Sequence, residues 1–209
     1  MTKPMGHFDH EFELTAGVLC LDFANTVGKR KIPGRAEDEL ANYSDFVMFA
    51  RQSKVISPQV ARELLAAGLV EGRKAAQVQG AAVVLREAIF RVFSSIAAAR
   101  PAVGKDVKLI DDFAVKAMRH RRIVSSGRGY RWEWKRDKAH YLAQILWPIA
   151  LSAADLLTSD KLSGVRECGA DDCAWLFLDE SRNHSRRWCD MKVCGNRQKA
   201  RRHYQRARK

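Results

Sequence analysis

The stretch that decides the fold is "GRKAAQVQGAAVVLREAIFRVFSSIAAAR", residues 72–100. Val78, Ala81, Ala82, Leu85, Ile89 and Val92 recur in steps of three and four, which places them on one stripe of a helix. The segment is rich in alanine and predicts the long central helix of a domain, closed by Pro101 and Gly104.

Working outward from it, the chain is mostly helical. Upstream, "SPQVARELLAAG" (57–68) offers Ser57 as N-cap, Pro58 at the first helical position and Gly68 as a stop. "SDFVMFARQ" (44–52) predicts a helix capped by Ser44, and "GKRKIPGR" (28–35) is a basic loop broken by Pro33 and Gly34. "GVLCLDFANTVG" (17–28) predicts a short buried helix, with Cys20, Ala24 and Val27 at helical spacing. Downstream, "KDVKLIDDFAVKAMRH" (105–120) is amphipathic. The period then changes. In "RRIVSSGRGYRWEWK" (121–135), Tyr130, Trp132 and Trp134 alternate with charged residues across a "SSGRG" turn signal, which predicts a β-hairpin. Residues 137–158 return to helix, with Pro148 expected to kink or divide it. The polar run "TSDKLSGVRE" (158–167) places a boundary between a mainly helical unit, residues 1–160, and a smaller one, residues 161–209.

Composition narrows the function. With 209 residues and 46% hydrophobic content the chain is globular. Its start, "MTKPMGHFDHEFEL", does not read as a secretory signal. "AQILWPIALSAADLL" (143–157) is too short and too polar to span a bilayer. A cytoplasmic protein without a membrane partner is expected. Its net charge of +13 is uneven: residues 1–180 carry +3 and residues 181–209 carry +10. That asymmetry points to an anionic partner, nucleic acid first.

A reducing compartment makes clustered cysteines metal ligands more often than disulfides. Cys20 stands alone in an apolar run and reads as a buried hydrophobe. The other four lie in "CGADDCAWLFLDESRNHSRRWCDMKVC", with Cys168, Cys173, Cys189 and Cys194 spaced C-x4-C-x15-C-x4-C. Two close pairs suit a tetrahedral Zn2+ site; free thiols, a redox pair and an iron–sulfur cluster are the alternatives. "WLFLD" reads as a strand returning through "DESRN", and "NRQKARRHYQRARK" reads as a helix opening just after Cys194. A knuckle, a hairpin and a ligand at a helix start make a treble-clef-like finger. The expected fold class is α+β, a mainly helical domain with one small β-hairpin followed by that finger.

These residues also resemble a known family. "C-x4-CxWLFLDxSRN", "RRWCxM" and "CGNRxKxRRH" closely resemble the CGNR zinc finger, its name tetrapeptide standing here as Cys194-Gly195-Asn196-Arg197. "LCLDFANTV" (19–27), "LREAIFRVF" (85–93) and "LWPIALSAADLL" (146–157) resemble the ABATE domain that usually precedes this finger. Proteins of this bacterial family look like stress-induced transcription regulators, so the resemblance implies zinc and DNA binding.

The terminal helix is basic on nearly every face and cannot be held by apolar burial, so either the zinc anchor or a polyanion must favour it. Arg197, Arg201 and Arg202, with Arg182, Arg186 and Arg187 of the "SRNHSRR" loop, are the candidate DNA contacts, against a merely solvated tail. Asn196 is a base reader or a helix cap. The first 160 residues show no Gly-rich phosphate loop, G-x-S-x-G or H-E-x-x-H, so no enzyme is expected. Asp22, Asn25 and Arg86 are polar in apolar surroundings; they form an internal network or line an effector pocket. The reading is a transcription regulator whose larger domain senses a small-molecule ligand or forms a homodimer. The alternative is a zinc-stabilised protein- or RNA-interaction module.

Overall fold

The computed structural model describes residues 11–135 and 138–207. The long helix forms where expected, as α4 (Gly72–Ala97), and most of the other helices pack on it. Before it come α1 (Leu19–Ala24), the two-residue strands β1 (Val27–Gly28) and β2 (Glu37–Asp38), α2 (Tyr43–Gln52) and α3 (Pro58–Val70). After it come α5 (Gly104–Arg119), the antiparallel hairpin β3 (Arg121–Ser126) and β4 (Gly129–Trp134), and a 3-10 stretch at 138–145. They are followed by α6 (Leu146–Leu157). The C-terminal part holds a second hairpin, β5 (Val165–Glu167) and β6 (Leu176–Leu178), and the terminal helix α7 (Asn196–Ala207). The molecule is therefore mainly helical with small antiparallel hairpins. No helix among the described residues is long and apolar enough to cross a membrane.

Several element ends differ from expectation, each for an identifiable reason. α1 stops at Ala24; Val27 is buried by strand pairing with Asp38. The cap of α2 is Asn42, whose side chain accepts from Asp45 N–H while Asp45 accepts from Asn42 N–H. Ser44 lies in the first turn. Gly68 does not stop α3, because it is a packing position: a Cβ there would lie 2.9 Å from the Tyr43 ring. α4 ends before Pro101, at Ala97; just beyond it the φ of 53° at Ala99 turns the chain, and Arg100 N–H donates back to Ser95 O at 2.8 Å. Pro148 falls in the first turn of α6, where its missing N–H breaks no helical bond.

A main core runs from the helices into the C-terminal part, and a smaller cluster of Ala114, Ala117, Trp147 and Leu151 lies between α5 and α6. The rings of Phe23, Phe46 and Phe49 meet at 5.4–5.5 Å, and Leu85, Ile89 and Phe93 of α4 pack on them. The same core continues into Leu176, Phe177 and the cysteines at 168, 173, 189 and 194.

The polar residues of α1 and α4 join these parts. Asn25 binds both backbone groups of Leu176: its Nδ2 donates to Leu176 O at 2.8 Å, and Leu176 N donates to its Oδ1 at 2.8 Å. Arg86 is buried and clamps Asp38 through two bonds of 2.6 and 2.7 Å. Asp22 Oδ1 accepts from Ala16 N–H at 2.8 Å. These are the bonds of an internal network.

Burial pushes the Asp22 carboxyl up to about 6, against the opposing hydrogen bond from Ala16. The folded state therefore holds this proton more tightly than the unfolded chain. Stability from Asp22 is full below about pH 4, the ordinary range of an aspartate, and is lost as pH rises through 6. Asp22→Asn keeps the acceptor and should stabilise the protein at neutral pH by on the order of 2 kcal/mol. That gain should vanish by about pH 4 in denaturant titrations.

Candidate metal centre

Cys168 and Cys173 sit on the knuckle between β5 and β6, so the hairpin carries the first pair and does not separate the two pairs. The knuckle is closed by Cys168 N–H donating to Trp175 O at 2.8 Å. The segment 179–190 returns without a strand and is organised by Asp179, which accepts from Ser181 and from Arg186 N–H at 3.0 Å. Cys194 lies in a wide turn, Met191–Gly195, that leads directly into α7 and is capped by Asp190 accepting from Val193 N–H at 2.9 Å. Gly195 lies against Met191 and Trp188, leaving no room for a Cβ.

All four sulfurs are buried and lie within 4.8 Å of one another. Cys173 and Cys189 are 3.7 Å apart, and Cys189 and Cys194 are 3.5 Å apart. A tetrahedron of thiolates 2.3 Å from one zinc ion has edges of about 3.8 Å. The cluster is therefore sized for a single ion and is too tight to enclose a multi-iron cluster. Neighbouring thiols lower Cys168, and hydrogen bonding to Cys168 is the largest of the effects that raise Cys189. Four such groups cannot all ionise without a cation among them. Trp175 N–H (3.5 Å to Cys173) and Arg197 Nη2 (3.2 Å to Cys194) supply donors to the sulfurs. A cleft of about 210 Å³, bordered by Lys29, Glu37 and Asp190, reaches the cysteines from solvent. Donor set, spacing and entry path fit Zn2+.

The basic helix is not held by the metal alone. Arg197 pairs with Asp172 at 3.1 Å, and Arg201 reaches Asp172 at 3.1 Å and Asp171 at 3.5 Å. The buried Gln198 donates to Asp171 at 3.3 Å. One face of α7 is thus docked on two carboxylates of the knuckle, a role for Asp171 and Asp172 that sequence reasoning missed. The signal was there, in an acidic dipeptide between two ligands and in Arg197 and Arg201, one helical turn apart after the last one.

The remaining candidates divide. Arg182 and Arg187 are exposed on the 180–187 loop and Asn196 on α7, where Lys199, not among those candidates, is exposed as well. Arg186 instead braces the loop: its guanidinium lies over the Phe177 ring at 4.3 Å, donates to Trp188 O at 3.0 Å and to Thr15 O at 3.1 Å, and also reaches Cys189 O. The side chain of Arg202 lies outside the described residues. Asp22, Asn25 and Arg86, read as pocket candidates, are bonded within the protein as described above. A separate cleft of about 450 Å³ opens between α2, α3 and α4, lined by Tyr43, Met48, Leu65, Ala75 and Gln79, which suits a small apolar ligand.

Comparison with known families agrees with this geometry. The ABATE family model, described as "Putative stress-induced transcription regulator", matches residues 17–160, and the CGNR zinc finger model matches residues 165–207. No curated protein matches the chain.

Proposed function

Because this chain belongs to the ABATE family of transcription regulators, we propose that it binds duplex DNA through the exposed basic face beside its zinc centre. The observation that supports this reading is the split among the cations. Arg186, Arg197 and Arg201 are engaged with the protein and orient the loop and helix. Arg182, Arg187 and Lys199 are left exposed along the same segment, with Asn196 at the start of the helix. Such cations bind phosphates and release counterions, which gives affinity without sequence information. Asn196, exposed at the start of the helix, is the neutral side chain assigned here to reading a base edge. The larger unit carries the regulatory input, with the cleft between α2, α3 and α4 as the place for an effector, and no catalytic step is assigned to either part.

The test is a salt series with the full-length, zinc-loaded protein and duplex DNA. Arg187→Gln with Lys199→Gln should weaken binding and make the slope of log K against log salt shallower by about two, one unit for each lost phosphate contact. Zinc content should not change, because neither residue touches the cysteines. Arg201→Glu is a poorer probe, since it would place a third carboxylate against Asp171 and Asp172 and undock the helix itself. Absence of duplex binding at low salt would refute the reading.

A further inference from the structure

The finger is not the only place where positive charge gathers. Residues 119–135 hold six cationic side chains and one carboxylate, Glu133. Since residues 1–180 carry +3 in all, the rest of that region is net negative. The charge belongs to the β3–β4 hairpin and its base.

The hairpin also bares an apolar face. The cross-strand pairs Arg121 with Trp134, Ile123 with Trp132 and Ser125 with Tyr130 share one side of the ribbon. Trp134 is anchored at the core end, 5.5 Å from Trp147. Outward from it exposure rises, from 48% at Trp132 to 62% at Ile123 and 81% at Tyr130. The Arg121 guanidinium lies 4.7 Å from the Trp132 ring and 5.6 Å from Trp134, holding the two indoles in a row. On the opposite side Glu133 takes Arg122 at 2.9 Å and Arg131 more weakly at 3.4 Å. Arg128, at the turn, has no partner among the described residues.

The base of this arm faces, across a cleft, a lysine that contacts the finger's basic loop. A cleft of about 550 Å³ runs from Arg121 and Trp134, past Ser159, to Lys161. Lys161 in turn binds Glu180 at 2.6 Å, at the start of the loop that carries Arg182 and Arg187.

We infer that the β3–β4 hairpin is a second DNA-contacting arm, gripping the same duplex as the finger through its cations and its row of aromatic side chains. Charge decides the occupant. Two copies of a ribbon this basic repel each other, whereas a polyanion neutralises it and offers apolar sugar and base edges to the rings. A two-stranded ribbon fits the major groove of duplex DNA. The inference rests on the DNA-binding reading above, and its test separates the two.

The full-length, zinc-loaded chain is titrated against a labelled duplex of two helical turns across a salt series. Arg128→Gln with Arg131→Gln should lower affinity about 10- to 100-fold at about 0.1 M salt and make the slope shallower by about two. Trp132→Ser should lower affinity about tenfold with no change of slope, because an apolar contact releases no counterion. All three positions are exposed, and unchanged zinc content and circular dichroism would confirm that the variants fold. If both hairpin variants bind as the wild type does while Arg187→Gln with Lys199→Gln is weakened, the hairpin inference fails and the DNA reading stands. If the wild type binds no duplex at low salt, both fail. If the hairpin variants change only the sedimentation of the free protein, the arm belongs to a second copy of the chain and the inference is overturned.

Discussion

Cys189→Ser should abolish stoichiometric zinc binding and unfold the C-terminal part. Cys189 Sγ lies 3.7 Å from Cys173 Sγ and 3.5 Å from Cys194 Sγ, at the centre of the donor set. A serine hydroxyl is a hard, neutral ligand that zinc binds poorly in place of a thiolate. In small zinc modules the metal contributes roughly 10–16 kcal/mol of apparent binding energy, and that energy is folding energy. Here the effect should not stop at the finger. Leu178 N–H donates to Ala16 O at 2.8 Å, Trp175 Nε1 donates to Val27 O at 3.2 Å, and Lys31 Nζ donates to Cys168 O at 2.9 Å. Because these bonds and the continuous core tie the finger to α1 and α4, chelation should lower a single thermal transition of the whole chain. The checks are metal content after dialysis and calorimetry with and without chelator. One zinc per chain in the variant would overturn the ligand set. A high-temperature transition that the chelator leaves in place would show that the larger unit stands without the metal.

The extent to which this centre is legible in sequence depends on the kind of constraint. The four cysteines announce themselves, because few residue types bind zinc and their spacing survives any reading of the backbone. The stripe from Val78 to Val92 is equally plain, since a helix of 26 residues has to bury one side. What sequence hides is pairing across distance. Nothing near Asn25 says that it will bond the backbone of Leu176, 151 positions away. Arg186 and Arg187 are neighbours of one type, yet one lies over Phe177 and the other faces solvent at the rim of Trp188. The end of α3 was misplaced for the same reason. Gly68 has the residue type of a stop, but the ring of Tyr43, 25 positions earlier, takes the space that its missing side chain leaves.

Arg86→Ala should cost the protein about 3–5 kcal/mol, the lost ion pair together with the cavity that the truncated side chain leaves in the core. For a chain of this size that lowers the melting temperature by roughly 2–4 °C per kcal/mol. The side chain is only 2% exposed, deep on α4, where it holds Asp38 bidentately, meets Glu87 at 3.1 Å and lies 3.4 Å from the Thr26 hydroxyl. Truncation leaves a hole in the core and frees β2, which is too short to persist without that clamp. Arg86→Met separates the two effects by restoring volume without charge. Asp38 is 45% exposed and can rehydrate, so the methionine variant should lose only about 1–2 kcal/mol. Acid should narrow the gap between wild type and the methionine variant. Partial burial raises both Asp38 and Glu87, but Arg86 outweighs it at Asp38, and Arg30 with Arg86 outweighs it at Glu87, so both carboxyls sit below their ordinary range. Stability from groups depressed in this way is present above their unfolded pKa and is lost as pH falls through the folded one. Denaturant midpoints from neutral pH down to about pH 3 should therefore converge for wild type and Arg86→Met, while Arg86→Ala stays lower because its cavity does not titrate. A gap between wild type and Arg86→Met that is constant with pH would place the role of Arg86 in packing rather than in its charge.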